Sequence, residues 1–377
     1  MILGSKIDVI LLKLAVIVSV LSQINEIEVI FRPLMYLLWI CLLLYLLFIY
    51  KFKLSLSHFT IYFIIIYILF TLLCICGSFL GLDHLNNNYL KILRIPLLVS
   101  IIGGLMKNSL SNEEMKSTIH LFILSSLIFA IWIHITYFRS FSDWMSSNIY
   151  LFEQKNSAAQ IWSMSVLFLV FQVRPETKWQ KVIKFIVIFY LILILGLSQC
   201  RTALLGIGGA LLFVYSKRLK HPYIVFLCIL IICGVLYMIP AIKQTIDHMF
   251  LLDKYSGADI NTISSGRLEG ISLSLEYFLS SPVLGVGNWY IDCSYISVLT
   301  ESGVLGFILI ESVWFYRIIL NVFNKSKTYK LIIQAATVFY IVESLLEGYP
   351  PFGPGVSSFM FWLVSNIGYF DNEIRKL

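Results

Sequence analysis

The sequence predicts an all-α, polytopic membrane protein with about twelve transmembrane helices and one large extracytoplasmic loop that carries an amphipathic helix. Three observations predict it. Of the 377 residues, 59% are hydrophobic and only 13% are charged, against about 25% charged in soluble domains. Mean hydropathy is +0.87. The apolar residues are also gathered into recurring runs separated by short polar connectors, many of them near the ~20 residues that cross ~30 Å of hydrocarbon. Such spans use up the chain, so residues 1–377 read as a single transmembrane domain, with 241–292 as a loop inside it.

In chain order the apolar segments are Val9–Leu21, Leu34–Tyr50, Phe59–Phe79, Ile95–Met106, His120–Phe138, Ala158–Phe171, Val182–Leu197, Ala203–Tyr215, Tyr223–Ile239, Tyr295–Val322, Leu331–Leu346 and Val356–Ile367. Val9–Leu21 follows a single lysine, Lys6, and has no small-residue cleavage site, so it reads as a retained first span. Ile95–Met106 and Ala158–Phe171 are short for a crossing.

The connectors then sort by charge. Lys51 and Lys53, Lys107 and Lys116, Arg174 to Lys181, Lys217 to Lys220, Lys325 to Lys330, and Arg375 with Lys376 fall on one side if each segment crosses once. Short loops rich in Lys and Arg belong on the cytoplasmic side, which puts both termini there. The other face collects 26–32, 83–94, 139–156, the tight turn at Ser198–Arg201, 241–292 and 347–355.

The net charge of +7 is spread as short clusters between apolar runs, which excludes the basic stripe of a nucleic-acid binder. Of the seven cysteines, most lie inside apolar runs, where Cys acts as a small hydrophobe. Cys74-x-Cys76 lacks partner ligands, so neither a metal nor another cofactor is expected.

The long connector 241–292 is apolar enough to be ordered. From Arg267 to Leu279, Leu268, Ile271, Leu275 and Phe278 recur at helical spacing, the pattern of an amphipathic helix at the outer interface or capping the bundle. Arg201 follows the turn Ser198-Gln199-Cys200 and opens a new helix. A helix N-terminus attracts anions, and a guanidinium there can grip phosphate oxygens in a bidentate way. Arg267, Arg32, Arg94 and Lys155 share that outer face, from which positive charge is normally depleted.

Four carboxylates accompany these cations. Asp292, just before a long span, is placed either to act as a general base at the outer mouth or to cap the helix. Glu301 lies about two and a half turns further on, off Asp292's face, and reads as a buried structural or gating carboxylate. Glu343 and Glu347 stand at i, i+4 and are expected on one helix face, paired with arginines across the bundle or acting on substrate.

Four stretches, "QKNSAAQ" (Lys155, Asn156), "SQCRTALLG" (Arg201), "GRLEG…SSPVLGVGNWY" (Arg267, Pro282, Gly285, Gly287) and "DCSYISVLTESGVLG" (Asp292, Tyr295, Glu301, Gly303), together resemble the bacterial O-antigen polymerase and O-antigen ligase superfamily, the Wzy and WaaL types. The resemblance covers roughly the second half of the chain. It implies that Arg201 and Arg267 hold the diphosphate of an undecaprenyl-linked glycan. Ligases of lipid A core carry His-Asn where this chain has Asp292-Cys293, which argues for a polymerase of lipid-linked repeat units. The polymerase pattern of a glycine eleven positions after each arginine is not met, Leu212 and Phe278 standing there, so polymerase and ligase both stay open. The outer segments hold nothing like a metal cluster, so activity without a divalent metal is expected. Asp292 would be the general base, with His248 as the rival. Lys155, Asn156, Arg94, Tyr295, Glu301, Glu343 and Glu347 would line the substrate site. Implied partners are undecaprenyl-diphosphate-linked oligosaccharides, membrane lipid and a polysaccharide chain-length regulator. A flippase would instead spread ionisable residues at mid-membrane over paired halves.

Overall fold

The computed structural model describes residues 4–49, 56–82, 84–106, 110–137, 155–217, 220–221, 224, 227, 231, 234–235, 237–250, 267–324, 326, 328–353 and 357–373. Every apolar run read from the sequence falls on a helix, except Tyr223–Ile239, most of which lies outside the described residues. The helices are α1 (Gly4–Leu21), α2 (Asn25–Ile49), α3 (His58–Phe79), α4 (Asn88–Ile92), α5 (Arg94–Leu105), α6 (Asn112–Tyr137), α7 (Lys155–Phe171), α8 (Lys178–Leu197), α9 (Arg201–Ser216), α10 (Pro240–Phe250), α11 (Arg267–Ser280), α12 (Ser294–Val322), α13 (Lys330–Leu346) and α14 (Phe359–Glu373). Among the described residues there is no strand.

The helix starts have local causes. Ser57 caps α3 by accepting from the Thr60 amide at 3.0 Å. Thr177 and Gln180 form a reciprocal capping box at the head of α8.

Among the described residues six stretches are long and apolar enough to cross a membrane: α2, α3, α4 with α5, α6, α8 and α12. The chain is a multi-pass membrane protein. Their outer faces carry exposed Ile65, Ile68 and Leu72 on α3 and Ile183, Phe185 and Ile186 on α8, contiguous apolar surface of the kind that lipid covers. The expected figure of about twelve crossings is not reached on length and apolarity among the described residues. α7, α9, α13 and α14 run only 15 to 17 residues, and α1 carries Lys6, Asp8 and Lys13.

The short helices form the inside of the bundle. α7 is buried from Ser157 through Leu169, including Gln160, Ser163 and Ser165, so it faces protein on all sides. α9 packs along α13 through Ala203, Gly206, Ile207, Ala210 and Val214, one helix face of mostly small residues that brings two backbones close.

One pole of the bundle gathers the connectors that the charge pattern had grouped together. Gln23, between α1 and α2, accepts from Ser157 at the head of α7 at 2.5 Å. Asn156 donates to Glu347 beyond α13 at 2.6 Å. The side chain of Asn88, at the head of α4, reaches Asn288 at 2.8 Å.

Candidate functional site

The amphipathic segment folds as α11 and leans on α12. Ser274 pins it: its hydroxyl accepts from the Trp289 indole at 2.8 Å and its carbonyl accepts from Thr300 at 3.2 Å. The Tyr277 and Trp289 rings pack with centroids 4.5 Å apart. This places Arg267, the first residue of α11, at the polar cluster of the same pole.

There one guanidinium nitrogen, Arg267 Nη2, serves two acids, Asp292 Oδ2 at 3.3 Å and Glu347 Oε1 at 3.4 Å. Arg267 Nε is buried with no hydrogen-bond partner among the described residues. Asp292, about one third exposed, also accepts from Tyr290 Oη at 2.6 Å. Burial and the neighbouring Asp292 carboxylate push the Tyr290 phenol up, so it stays a donor.

Glu347 is the hub. Besides Arg267 it accepts from Asn156 Nδ2 at 2.6 Å and from Thr202 Oγ1 at 3.0 Å, which joins the heads of α7 and α9 to the end of α13. Its expected place on one helix with Glu343 is corrected by the structure. α13 ends at Leu346 and Glu347 is extended, at φ −133° and ψ 153°, because Gly348, Pro350 and Pro351 follow and cannot continue the helix. The close approach of this loop to 290–291 needs Gly348, where a Cβ would sit 2.4 Å from the Tyr290 ring and 2.7 Å from the Ile291 carbonyl. Glu343 lies one turn deeper, buried, within 3.4 Å of Gln160, which in turn accepts from Ser357 at 2.6 Å.

Arg201 takes its expected place. Gln199 adopts φ +52°, the Cys200 amide closes on the Leu195 carbonyl at 3.0 Å, and α9 starts at Arg201, half-buried and adjacent to Thr202. Lys155 opens α7 beside this turn, its carbonyl 3.8 Å from Cys200 Sγ. Burial pushes the Cys200 thiol up to about 12, which leaves it unreactive at neutral pH.

The other expected residues sit apart from this cluster. Glu301 is fully buried and accepts from the Asn88 amide. Tyr295 is half-buried against the hydrophobic core. Arg94 is exposed at the head of α5, and Arg32 pairs within its own helix with Glu28 at 2.5 Å. The His248 side chain lies outside the described residues. Among the described residues no group of three or more His, Cys, Asp or Glu is arranged to hold a metal.

Sequence reasoning missed Thr202, Gln160, Tyr290 and Tyr349. The two tyrosine rings pack at a tilt of 48° with centroids 5.0 Å apart, with Tyr89 5.6 Å from Tyr349, and form an aromatic shelf beside Asp292. Their positions within "NWYID" and "EGYPP" were the available signal.

Burial first, and then Asp292, push the Glu347 carboxyl up to about 7, against the opposing pull of Arg267, Thr202 and Lys155. An acid whose folded value lies above its unfolded one holds more protons when folded. Its contribution to stability is therefore full below the unfolded value of 4.5 and is lost as pH rises through about 7. Between pH 5 and pH 8 this group should cost about 2 to 3 kcal/mol of stability. Glu347→Gln, which cannot titrate, should flatten the fall of Tm with pH measured on purified protein. Parallel slopes for the two proteins would contradict it.

Residues 186–311, a third of the chain, match the family model Wzy_C, described as O-antigen ligase. The match runs from within α8 into α12 and contains Arg201, Arg267, Asp292, Tyr295 and Glu301. No curated protein matches the chain.

Proposed function

We propose that the protein is a membrane glycosyltransferase that polymerises oligosaccharide repeat units carried on undecaprenyl diphosphate, at the outer face of a bacterial cytoplasmic membrane. The observation that carries this reading is the state of Arg267. One of its nitrogens is shared between two acids at long range, while buried Nε has no partner among the described residues. A buried donor left open calls for an acceptor, and the phosphate oxygens of the departing diphosphate fit a guanidinium beside the N-terminus of α9.

In this reading the growing glycan is the donor and a sugar hydroxyl of the incoming repeat is the acceptor. Asp292, the more solvent-accessible acid, takes the acceptor's proton while Arg267 and Tyr290 hold the carboxylate in place. Arg201, Lys155 and Arg267 stabilise the negative charge that builds on the leaving diphosphate. The shelf of Tyr290 and Tyr349 offers electron-rich faces to the C–H faces of a sugar ring. Lys155, Asn156 and Glu347 position these groups, and a chain-length regulator is the protein partner that belongs with this activity. No step calls for a divalent metal.

The second reading, transfer of finished glycan to lipid A core, is favoured by the description of the matching family model as O-antigen ligase. Deleting the gene in its native host and complementing with wild type or Arg201→Ala separates the two. A polymerase deletion leaves surface glycan capped at one repeat, and Arg201→Ala at normal protein level does not restore the ladder on a gel. Long glycan accumulating on the lipid diphosphate without reaching lipid A makes the protein a ligase. An unchanged ladder rejects both. Chain growth by purified protein should continue in EDTA; loss that magnesium restores would reject the metal-independent step.

A further inference from the structure

The pole opposite the carboxylate cluster carries a second constructed feature. α7 and α8 each run from one pole to the other: α7 starts in the cluster at Lys155 and ends at Phe171, while α8 starts at Lys178 and ends beside the Arg201 turn. Between Phe171, the 172–176 connector and the heads of α6 and α13 lies a polar cleft of about 750 Å³. Its rim includes Lys116, His120 and Arg174. At 1.5 Å per residue, α8 sets it about 30 Å from Arg201.

The cleft continues into an apolar crevice of about 470 Å³ between α6, α7 and α8, lined by Ile123, Leu127, Leu169, Ile183 and Val187. The two spaces share His120, Val173, Arg174, Pro175 and Glu176. At the junction Lys184 donates to the Val173 carbonyl at 2.9 Å, bringing a further cation under the rim. Lys116 is paired with Glu113 at 2.7 Å, which leaves Arg174 and Lys184 facing Glu176, a net positive balance over the two linings. Trp179 is 78% exposed one residue into α8, where an indole marks the headgroup level of a membrane.

We propose that these joined spaces bind one anionic phospholipid of the adjoining leaflet, its phosphate held by Arg174 and His120 at the junction and an acyl chain lying in the α6–α7–α8 crevice. A soluble anion uses only the cleft, and a neutral lipid only the crevice. The continuity of a net-positive basin with an apolar slot between membrane helices matches a molecule with both parts. By its lysines and arginines this pole is the cytoplasmic one, so the lipid comes from the leaflet opposite the glycan chemistry. The inference is independent of that chemistry.

The test is native mass spectrometry of the purified full-length protein offered phosphatidylglycerol or phosphatidylcholine with the same acyl chains. One phosphatidylglycerol per chain should be retained, with at least about tenfold preference over phosphatidylcholine. Arg174→Ala removes an exposed side chain and leaves the fold intact; it should weaken retention about fivefold. Leu127→Trp, which fills the crevice, should abolish retention, with Tm in lipid-free detergent verifying that this variant folds. Arg201→Ala, at the other pole, should retain the lipid like wild type. Equal retention of the two lipids, or undiminished retention by Arg174→Ala, overturns the proposal. So does displacement of the lipid by inorganic phosphate at the lipid's own concentration, because the acyl chain would then contribute nothing.

Discussion

Arg267→Ala should reduce glycan chain growth about a thousandfold, the scale on which removal of a preorganised charge-stabilising donor acts. It should also lower stability. Without the guanidinium, Asp292 and Glu347 face each other with no cation between them, and Glu347 has only 6% of its side chain exposed. Removing one partner of a fully buried ion pair costs about 3 to 5 kcal/mol. Arg267 and Asp292 keep 26% and 34% of their side-chain surface, so solvent screening brings the expected loss to about 2 kcal/mol. Arg267→Lys separates the two roles. A lysine ammonium can still neutralise the acids, but it is a point charge on a flexible stem and cannot present Nε toward a ligand while Nη2 holds the carboxylates. The expected result is a Tm near wild type with chain growth still greatly reduced. Chain growth in Arg267→Lys equal to wild type would reduce the arginine to a staple between α11 and the end of α13, and would remove the support that its open Nε gives to a diphosphate site.

The sequence made the helices legible because apolar runs and charged connectors are the strongest signals a membrane chain carries. Ala203, Gly206, Ile207, Ala210 and Val214, or the lysines in the first turn of α8, are placed on helices by sequence pattern alone. Which helices meet lipid was not legible. Nothing in the hydropathy of Ala158–Phe171 says that it is enclosed on all sides, although Gln160, Ser163 and Ser165 in that run are residues lipid would reject. The candidate site divided in the same way. Arg201, Arg267 and Asp292 stood out because charge is expensive next to apolar runs, and the structure places Arg267 against Asp292 at 3.3 Å. Glu347 was misread as the partner of Glu343 on one face, since i, i+4 spacing implies a continuing helix and the break set by Gly348 and Pro350 changes its direction. Its three partners, Asn156, Thr202 and Arg267, come from distant parts of the chain, so no local pattern could have announced the hub. Spacing also could not show that two of the quoted motifs dock on each other.

That docking leads to the second large effect: Gly303→Ala should destabilise the protein by about 3 to 5 kcal/mol, enough to abolish accumulation of folded protein. α12 is broken at Gly303, which has φ +63° and ψ −173°, a region essentially closed to residues with a Cβ. The break leaves helix carbonyls and amides without their usual partners, a cost that must be met inside the protein. The 282–287 turn meets it. Val286 and Gly287 donate to the carbonyls of Thr300 and Glu301 at 3.0 Å each, and Val304 and Leu305 donate to Pro282 and Val283 at 2.9 and 3.3 Å. The two backbones are so close that a Cβ at 303 would lie 2.4 Å from the carbonyl carbon and oxygen of Val283, and one at Gly285, itself at φ +78°, would lie 2.5 Å from the Gly303 amide. Both obstacles are backbone, so no side-chain rotation relieves them. Val304→Ala, at a position 41% exposed, is the control and should behave like wild type. The measurement is the yield and Tm of monodisperse protein in detergent. If Gly303→Ala matches the control in both, the turn does not dock into the break. The Trp289 contact that pins α11 through Ser274 at 2.8 Å would then lose its anchor, and the position of Arg267 against Asp292 would need another cause.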